Sequence, residues 1–394
     1  MKIAVDGRTI IRGKSGVGTY VERTMRSLLQ IDQRNEYFLF LIEPLDDLVA
    51  PNLTKLDIKG YQKAVRNRYW DSILLPLFTK ENSIDIFFGA AYALPLLPRW
   101  GKLIEPLPVP SKWKIPFNLG REVKFVAGIL DVIGFVHPET FTPKMRLWQR
   151  IFVANAVRIA DSIITISEST KRDILKLFRY DPSKIHVTPL SVDPDFHPNH
   201  DRAIVDGVRR RYALPEQFVL YVGTIEPRKN VAGIARAYAQ LPVHVQQQFP
   251  LVIAGARGWY AGAIFEEIST LGISDHIREI GFVEAQDLPT LVSMAKLFVF
   301  PSLYEGFGYP PLEAMASGVP VITSSVSSLP EVVGNAGILV DPTDYGALCA
   351  EMNRVLTDEK LHVELKEKGL QRAKEFSWRK TAQMTLRVFE KTIG

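Results

Sequence analysis

The stretch from Leu297 to Ile322 constrains the fold of this chain more than any other. Leu297–Phe300 is a short apolar run of strand-forming residues, closed by Pro301 and Ser302. Pro310 and Pro311 are tolerated only in the first turn of a helix, so a helix is expected to begin there. Gly318 fits its stop, and Val319–Ile322 reads as a second buried strand. Gly306 and Gly308 then fall at a strand's carboxyl end beside a helix N-terminus, where backbone N–H groups and the helix dipole favour a phosphate. Glu305 opens this loop, and Glu313 is expected in the first helical turn, facing the same crevice. A carboxylate repels phosphate but accepts hydrogen bonds from sugar hydroxyls. The layout suits a diphosphate with a sugar on either side. A glycine loop of ordinary α/β type, with a first-turn acid complementing the dipole, would explain the same residues without a ligand.

At 394 residues the chain is long enough for two domains, and 46% hydrophobic with 23% charged residues implies a globular protein with a full core. The single cysteine, Cys349, cannot pair internally; it fits a reducing, cytoplasmic setting and the role of a small core residue. A net charge of +5 points towards anionic ligands or an anionic membrane surface more than towards nucleic acid. The opening MKIAVDGR meets Asp6 and Arg8 too early for the core of a signal peptide. No apolar stretch approaches the ~20 residues of a spanning helix; Phe125–Val136 comes nearest and carries Asp131.

In the first half, Ile3–Val5, Tyr37–Ile42, Ile84–Phe88, Lys124–Leu130 and Ser162–Ser167 read as strands. Val17–Leu29, Arg66–Leu77 and Lys144–Ala160 have helical periodicity, and the alternation argues for a parallel sheet covered on both faces. The run Gly13-Lys14-Ser15-Gly16-Val17-Gly18 fails two phosphate motifs. Gly7 is one residue too far from Gly13 for a Walker A loop, and the third glycine of a dinucleotide fingerprint is Val21. What remains is a glycine turn at a helix N-terminus, able to approach a phosphate or to serve as a plain loop. Ala93–Lys124 is rich in proline and mixes Trp100 and Trp113 with Lys102, Lys112, Lys114 and Arg121, which suits either an anionic membrane interface or a solvated loop with local packing.

Ser191–Asn199 reads as a linker, followed by a polar helix over Asp201–Tyr212. Strands then resume at Phe218–Val222, Leu251–Ala254, Ile277–Ile280, Leu297–Phe300, Val319–Ile322 and Ile338–Val340, so a second parallel α/β domain is expected. Its first turn, Gly223-Thr224-Ile225-Glu226-Pro227-Arg228-Lys229-Asn230, sets Arg228 and Lys229 just beyond a strand end, where open α/β sheets bind ligands. Arginine as a fork and lysine as a point charge can clamp a diphosphate; a solvated basic turn is the alternative. Both this turn and the Glu305–Glu313 cluster should meet on one sheet edge.

These residues resemble the retaining glycosyltransferases of family 4, with their two-domain GT-B fold, over nearly the whole chain. The resemblance is carried by Tyr221–Asn230, by Tyr304–Met315 with its Glu305…Glu313 pair, by Gly16-Val17-Gly18-Thr19-Tyr20, by Ser167–Ile174 and by Ser328–Val332. It implies two Rossmann-like domains facing across a cleft: residues 1–196 for the acceptor, residues 197–376 for the nucleotide sugar, and a last helix, about 377–394, crossing back to the first domain. It further implies that Arg228 and Lys229 hold the donor diphosphate, that Glu305 contacts the transferred sugar and that Glu313 takes the ribose hydroxyls. Thr224 and the amides of Gly306, Phe307, Gly308 and Tyr309 would lie against sugar and phosphates. Gly16 and Gly18 would reach the distal phosphate across the cleft, Phe282 and Val283 would face the base, and Asp131 would sit on the acceptor side. No metal and no cofactor are expected, since basic side chains and helix termini supply the electrostatics, and the seven histidines form no ligand-spaced cluster.

One departure stands out. Relatives commonly carry a His-Asp pair where this chain has Leu130-Asp131, and the acceptor-side loop Phe88-Gly89-Ala90-Ala91-Tyr92 lacks the polar residues expected there. His137, seven positions on, matches a different spot. The reading is therefore a hexosyltransferase of surface-polysaccharide or lipopolysaccharide synthesis, with GDP-mannose the expected donor and a saccharide or lipid-linked saccharide the acceptor. A non-catalytic sugar-nucleotide-binding subunit, or an enzyme of another class on this architecture such as an epimerase, is the alternative.

Overall fold

The computed structural model describes residues 1–11, 16–58, 82–91, 94 and 123–394. The helix expected over Arg66–Leu77, the Gly13-Lys14-Ser15 turn, Tyr92 and the body of the proline-rich segment lie outside the described residues.

Two parallel sheets form the molecule. The first has seven strands in the order β3-β2-β1-β4-β5-β6-β7, and the second has six in the order β10-β9-β8-β11-β12-β13. In the first, β1 (Lys2–Asp6), β2 (Glu36–Leu41), β4 (Ile86–Gly89), β5 (Lys124–Gly128) and β6 (Ser162–Thr165) fall on the expected runs within a residue or two. Its two edge strands, β3 (Leu53–Asp57) and β7 (Ile185–Val187), have no counterpart in the sequence reading. β3 reads LTKLD and is largely exposed, and β7 has 3 residues. Edge strands need neither length nor a continuous apolar run, so neither carries the pattern of a buried strand.

In the second sheet, β8 (Val219–Val222), β9 (Leu251–Ala254), β10 (Ile277–Gly281), β11 (Leu297–Phe300) and β13 (Ile338–Val340) match closely. β12 runs Val321–Ser324 rather than from Val319. Val319 donates its N–H back to the Ala314 carbonyl, 3.0 Å away, closing the preceding helix, and Pro320 offers only its carbonyl, which accepts from Phe298 at 2.9 Å. The inner strands of both sheets (β1, β4 and β6 in the first, β8, β9, β11 and β12 in the second) are buried on both faces, as covered parallel sheets require.

Six helices matter below, labelled α1 to α6 in chain order. α1 (Gly16–Ile31) follows β1, α2 (Pro143–Ile159) follows β5, and α3 (Glu168–Leu177) follows β6. α4 (Tyr309–Ala316) follows β11, α5 (Leu329–Val333) follows β12, and α6 (Trp378–Ile393) closes the chain. α6 returns to the first sheet, as expected. Ser377 caps it through the Lys380 N–H, Thr381 Oγ1 donates to the Pro189 carbonyl at 2.6 Å, and Phe389 packs edge-on against Phe88 at 5.4 Å. No described helix is long and apolar enough to cross a membrane.

Candidate active site

β8 and β11 are hydrogen-bonded neighbours, with Leu297 opposite Val219, and the strand order reverses between them. Such a switch point opens a crevice at the strands' carboxyl ends. Both loops proposed from the sequence leave β8 and β11 at this crevice. Asn230 fastens them together: held in the left-handed conformation at φ 57°, it donates Nδ2 to the Pro301 carbonyl at 3.1 Å and to that of Pro342 at 2.7 Å. Leu303 N–H donates to the Arg228 carbonyl at 2.8 Å, completing the splice.

At the base of the crevice, Glu305 sits between two cations. Its Oε1 lies 2.6 Å from Lys229 Nζ and its Oε2 lies 2.8 Å from Arg228 Nη1. Ser302 donates its hydroxyl to Glu305 Oε1 at 2.7 Å, and Arg228 Nη2 also reaches Glu226 at 2.6 Å. Glu305, Lys229 and Glu226 are all buried. Burial alone would push the Glu305 carboxyl up, but Arg228, Lys229 and the hydrogen bonds from Lys229 and Ser302 outweigh it and hold the group down at about 2. Lys229 moves below its ordinary value, first through burial and then through repulsion from Arg228. The pocket thus holds two desolvated cations that converge on the ionised Glu305, with Arg228 shared between Glu305 and Glu226.

Glu313 departs from expectation. α4 begins at Tyr309, so Glu313 lies in the second turn, and the first turn holds no acid. Dipole compensation therefore does not account for it. The side chain is half-buried and has no hydrogen-bond or ion-pair partner among the described residues. Burial first, and the Asp193 charge second, push its carboxyl up to about 8. This unpaired carboxyl lies beside Tyr309, whose buried hydroxyl also has no partner among the described residues.

The second sheet's loop meets the first sheet's loops closely. A Cβ on Gly306 would stand 2.2 Å from the Leu130 carbonyl oxygen and 3.1 Å from Asp131 Cβ, so only glycine permits this approach. Gly308 has φ +127°, and a Cβ there would meet Leu329 at 2.8 Å. Gly16 faces Tyr309, its Cβ position 3.7 Å from the ring, and Gly18 is buried in α1. The Phe307 ring turns inward, edge-on to Tyr309 and Phe376, leaving its backbone as the part able to face a ligand. Asp131 accepts from Gln149 Nε2 at 2.8 Å.

Other expected residues stand apart. Thr224 is exposed, its carbonyl accepting from Tyr221 at 3.0 Å. Phe282, 56% exposed, and buried Val283 follow β10 at the far edge of the sheet, two strands from β8 and outside the charged cluster.

Contacts that the sequence reading did not assign bring the lobes together. Tyr304 donates its hydroxyl to Asp173 at 2.9 Å, and Trp259 Nε1 donates to the Thr140 carbonyl at 2.6 Å. Glu331 accepts from the Glu168 N–H at 2.8 Å and pairs with Arg172 at 3.1 Å. The two segments Ser167–Ile174 and Ser328–Val332, separate in sequence, therefore meet across the cleft. His137 lies 5.8 Å from the Tyr304 ring and, with Arg172, Asp173, Tyr304 and Ser327, lines a crevice of about 450 Å³ between the lobes. Among the described residues no group of His, Cys, Asp and Glu could hold a metal ion.

The chain matches two family descriptions: "Glycosyltransferase Family 4" over residues 15–196 and "Glycosyl transferases group 1" over residues 209–372. It is similar to the O-antigen chain mannosyltransferase B of Escherichia coli, 37% identical over 278 residues, which cover 70% of this chain and 72% of that protein. It is also similar to the serotype-specific mannosyltransferase WbdA of Escherichia coli, 33% identical over 268 residues, which cover 67% of this chain but 33% of the longer WbdA. Among solved structures, sucrose-phosphate synthase from Thermosynechococcus elongatus superposes with a TM-score of 0.73 at 19% identity, covering 99% of this chain and 98% of that one. WaaG, a glycosyltransferase involved in lipopolysaccharide biosynthesis, does so with a TM-score of 0.70 at 16% identity, covering 98% and 99%. The fold, the crevice and these likenesses agree: the chain belongs to the family 4 glycosyltransferases of GT-B fold, enzymes that move a sugar from a nucleotide-sugar donor to an acceptor.

Proposed function

We propose that the enzyme transfers mannose from GDP-mannose, with retention and without a metal, to a saccharide or lipid-linked saccharide in surface-polysaccharide assembly. The observation that carries this is Glu305 between Arg228 and Lys229, beside the unpartnered Glu313. A diphosphate brings more negative charge than one carboxylate and competes with Glu305 for the same two cations. Glu305 is then released to accept from hydroxyls of the transferred sugar, while Glu313 accepts from the ribose. As the glycosidic bond breaks, charge develops on the leaving phosphate, where Arg228 and Lys229 are already fixed. Retention follows if the acceptor attacks from the face the nucleotide leaves, its proton passing to a departing phosphate oxygen.

Residues 1–196 take the acceptor and 197–376 the donor, with Gly16 and Gly18 closing over the distal phosphate and Phe282 and Val283 beside the base. The choice of mannose rests on the likeness to two Escherichia coli mannosyltransferases. A lipid-linked acceptor and the basic balance of the chain favour work at an anionic membrane surface. The test is transfer from GDP-mannose to polyprenyl-diphosphate-linked saccharides, with the anomer of the product read by NMR. An α-linked mannoside is expected; a β-linked product, or transfer only from another donor, contradicts the proposal.

A further inference from the structure

The Glu305 carboxylate takes its partners from Arg228, Lys229 and Ser302. Its loop is held separately, by the two segments Ser167–Ile174 and Ser328–Val332. Within the second lobe, the Glu305 N–H donates to Ser327 Oγ at 3.0 Å. The buried Ser328 hydroxyl lies 2.8 Å from the Glu305 carbonyl and 2.6 Å from that of Phe307, one O–H between two acceptors. Ser327 itself stands in the left-handed region at φ 55°, uncommon for a residue with a side chain and sustained by the bonds around it.

From the first lobe, α3 reaches both neighbours of Glu305. Asp173 accepts from the Tyr304 hydroxyl at 2.9 Å, and buried Thr170 Oγ1 stands 3.3 Å from the Leu130 carbonyl and 3.5 Å from that of Gly306. α3 also grips α5. Its first N–H, on Glu168, donates to Glu331 Oε2 at 2.8 Å, and Arg172 donates to Glu331 Oε1 at 3.1 Å. The helix dipole and the unpaired N–H groups of a first turn both favour a carboxylate at this place. The Glu331 and Val332 carbonyls accept from Arg372 at 2.6 and 2.9 Å, which ties α5 to the chain just ahead of α6.

We infer that Tyr304 and Glu331 are positioning residues for transfer, registering the Glu305 loop against α3 of the opposite lobe, with Ser328 relaying the hold from α5 to the loop backbone. This rests on the proposal that Glu305 contacts the transferred sugar and that the first lobe takes the acceptor. Arg228, Lys229 and Ser302 belong to the same lobe as Glu305, so they fix the carboxylate against the donor but not against the acceptor. The bonds from α3 supply that second reference. A misplacement of about 1 Å at a reacting centre costs on the order of a hundredfold in rate, so a loop freed from α3 loses turnover before it loses donor binding.

The test takes Tyr304→Phe, Ser328→Ala, Glu331→Ala and Glu331→Gln in the full chain. It measures transfer from GDP-mannose to a polyprenyl-diphosphate-linked saccharide, GDP affinity by titration, and amide hydrogen exchange over residues 303–308 by mass spectrometry. Tyr304→Phe, Ser328→Ala and Glu331→Ala should each lower kcat about tenfold or more, leave the GDP dissociation constant unchanged and speed exchange over that peptide. Glu331→Gln keeps an acceptor for the Glu168 N–H and should recover most of the lost rate. Unchanged kcat, unchanged exchange over residues 303–308, no recovery in Glu331→Gln, or a loss of GDP affinity as large as the loss of rate would each overturn the inference. Exchange separates the two readings, because it needs no substrate. Wild type that transfers no mannose defeats the functional proposal while exchange still decides this one; transfer with an unmoved loop defeats this one alone.

Discussion

Lys229 Nζ lies 2.6 Å from Glu305 Oε1, and both side chains are buried. Removing either partner strands a charge in the interior, at about 3–5 kcal/mol. Glu305→Ala is therefore expected to lower stability and abolish transfer. Glu305→Gln, which keeps the shape, should also lose transfer while binding GDP at least as tightly as wild type, because Arg228 and Lys229 no longer have a competing carboxylate. Isothermal titration checks the affinity; weaker GDP binding by Glu305→Gln would contradict this.

Acid should act through the same carboxyl. Its folded value of about 2 lies below the ordinary 4.5, so the stability it contributes is complete above pH 4.5 and is lost as pH falls towards 2. Thermal midpoints measured over that window should fall more steeply for wild type than for Glu305→Gln.

Glu313 has the opposite sign. Its folded value near 8 lies above 4.5, so the folded protein keeps a proton that the unfolded chain gives up, and stability declines as pH rises from 4.5 through 8. Glu313→Gln should flatten that decline. Glu313→Ala, which removes the acceptor altogether, should weaken nucleotide binding by about tenfold or more through the lost ribose contact, measured by titration with GDP at constant pH.

Gly306 tests the closeness of the lobes. With a Cβ placed 2.2 Å from the Leu130 carbonyl, Gly306→Ala must part the two loops. A displacement of about 1 Å at a reacting centre costs on the order of a hundredfold in rate. Initial rates should fall by that much while each lobe keeps its fold, as circular dichroism would report.

Trp259→Phe retains the ring against Phe141 but removes the donor to the Thr140 carbonyl. One such bond is worth about 1 kcal/mol. Turnover should fall several-fold with donor affinity unchanged, a split that steady-state kinetics and titration separate.

Most of the fold was legible because buried parallel strands are written as local apolar runs, as at Leu297–Phe300, and because Pro310 and Pro311 mark a helix start. The edge strands β3 and β7 were not, since an edge needs no such run. The placement of Arg228 and Lys229 beside Glu305 followed from which strand ends carry the loops. What the sequence hid were distances between segments far apart in the chain. Nothing local marks Gln149 as the partner of Asp131 within the first lobe, or Glu331 as the partner of Glu168 across the cleft, because each is an ordinary helix residue until the chain packs. Glu313 was misplaced by a turn because the helix begins one residue before the prolines.

The central claim is that the crevice between β8 and β11 is the donor site. It is tested most directly by titrating GDP-mannose into wild type, Arg228→Ala and Glu313→Ala and comparing dissociation constants. Saturable binding by wild type, weakened at least about tenfold in each variant, is the expected result. Absence of binding by wild type, or equal affinity in all three proteins, would contradict the account.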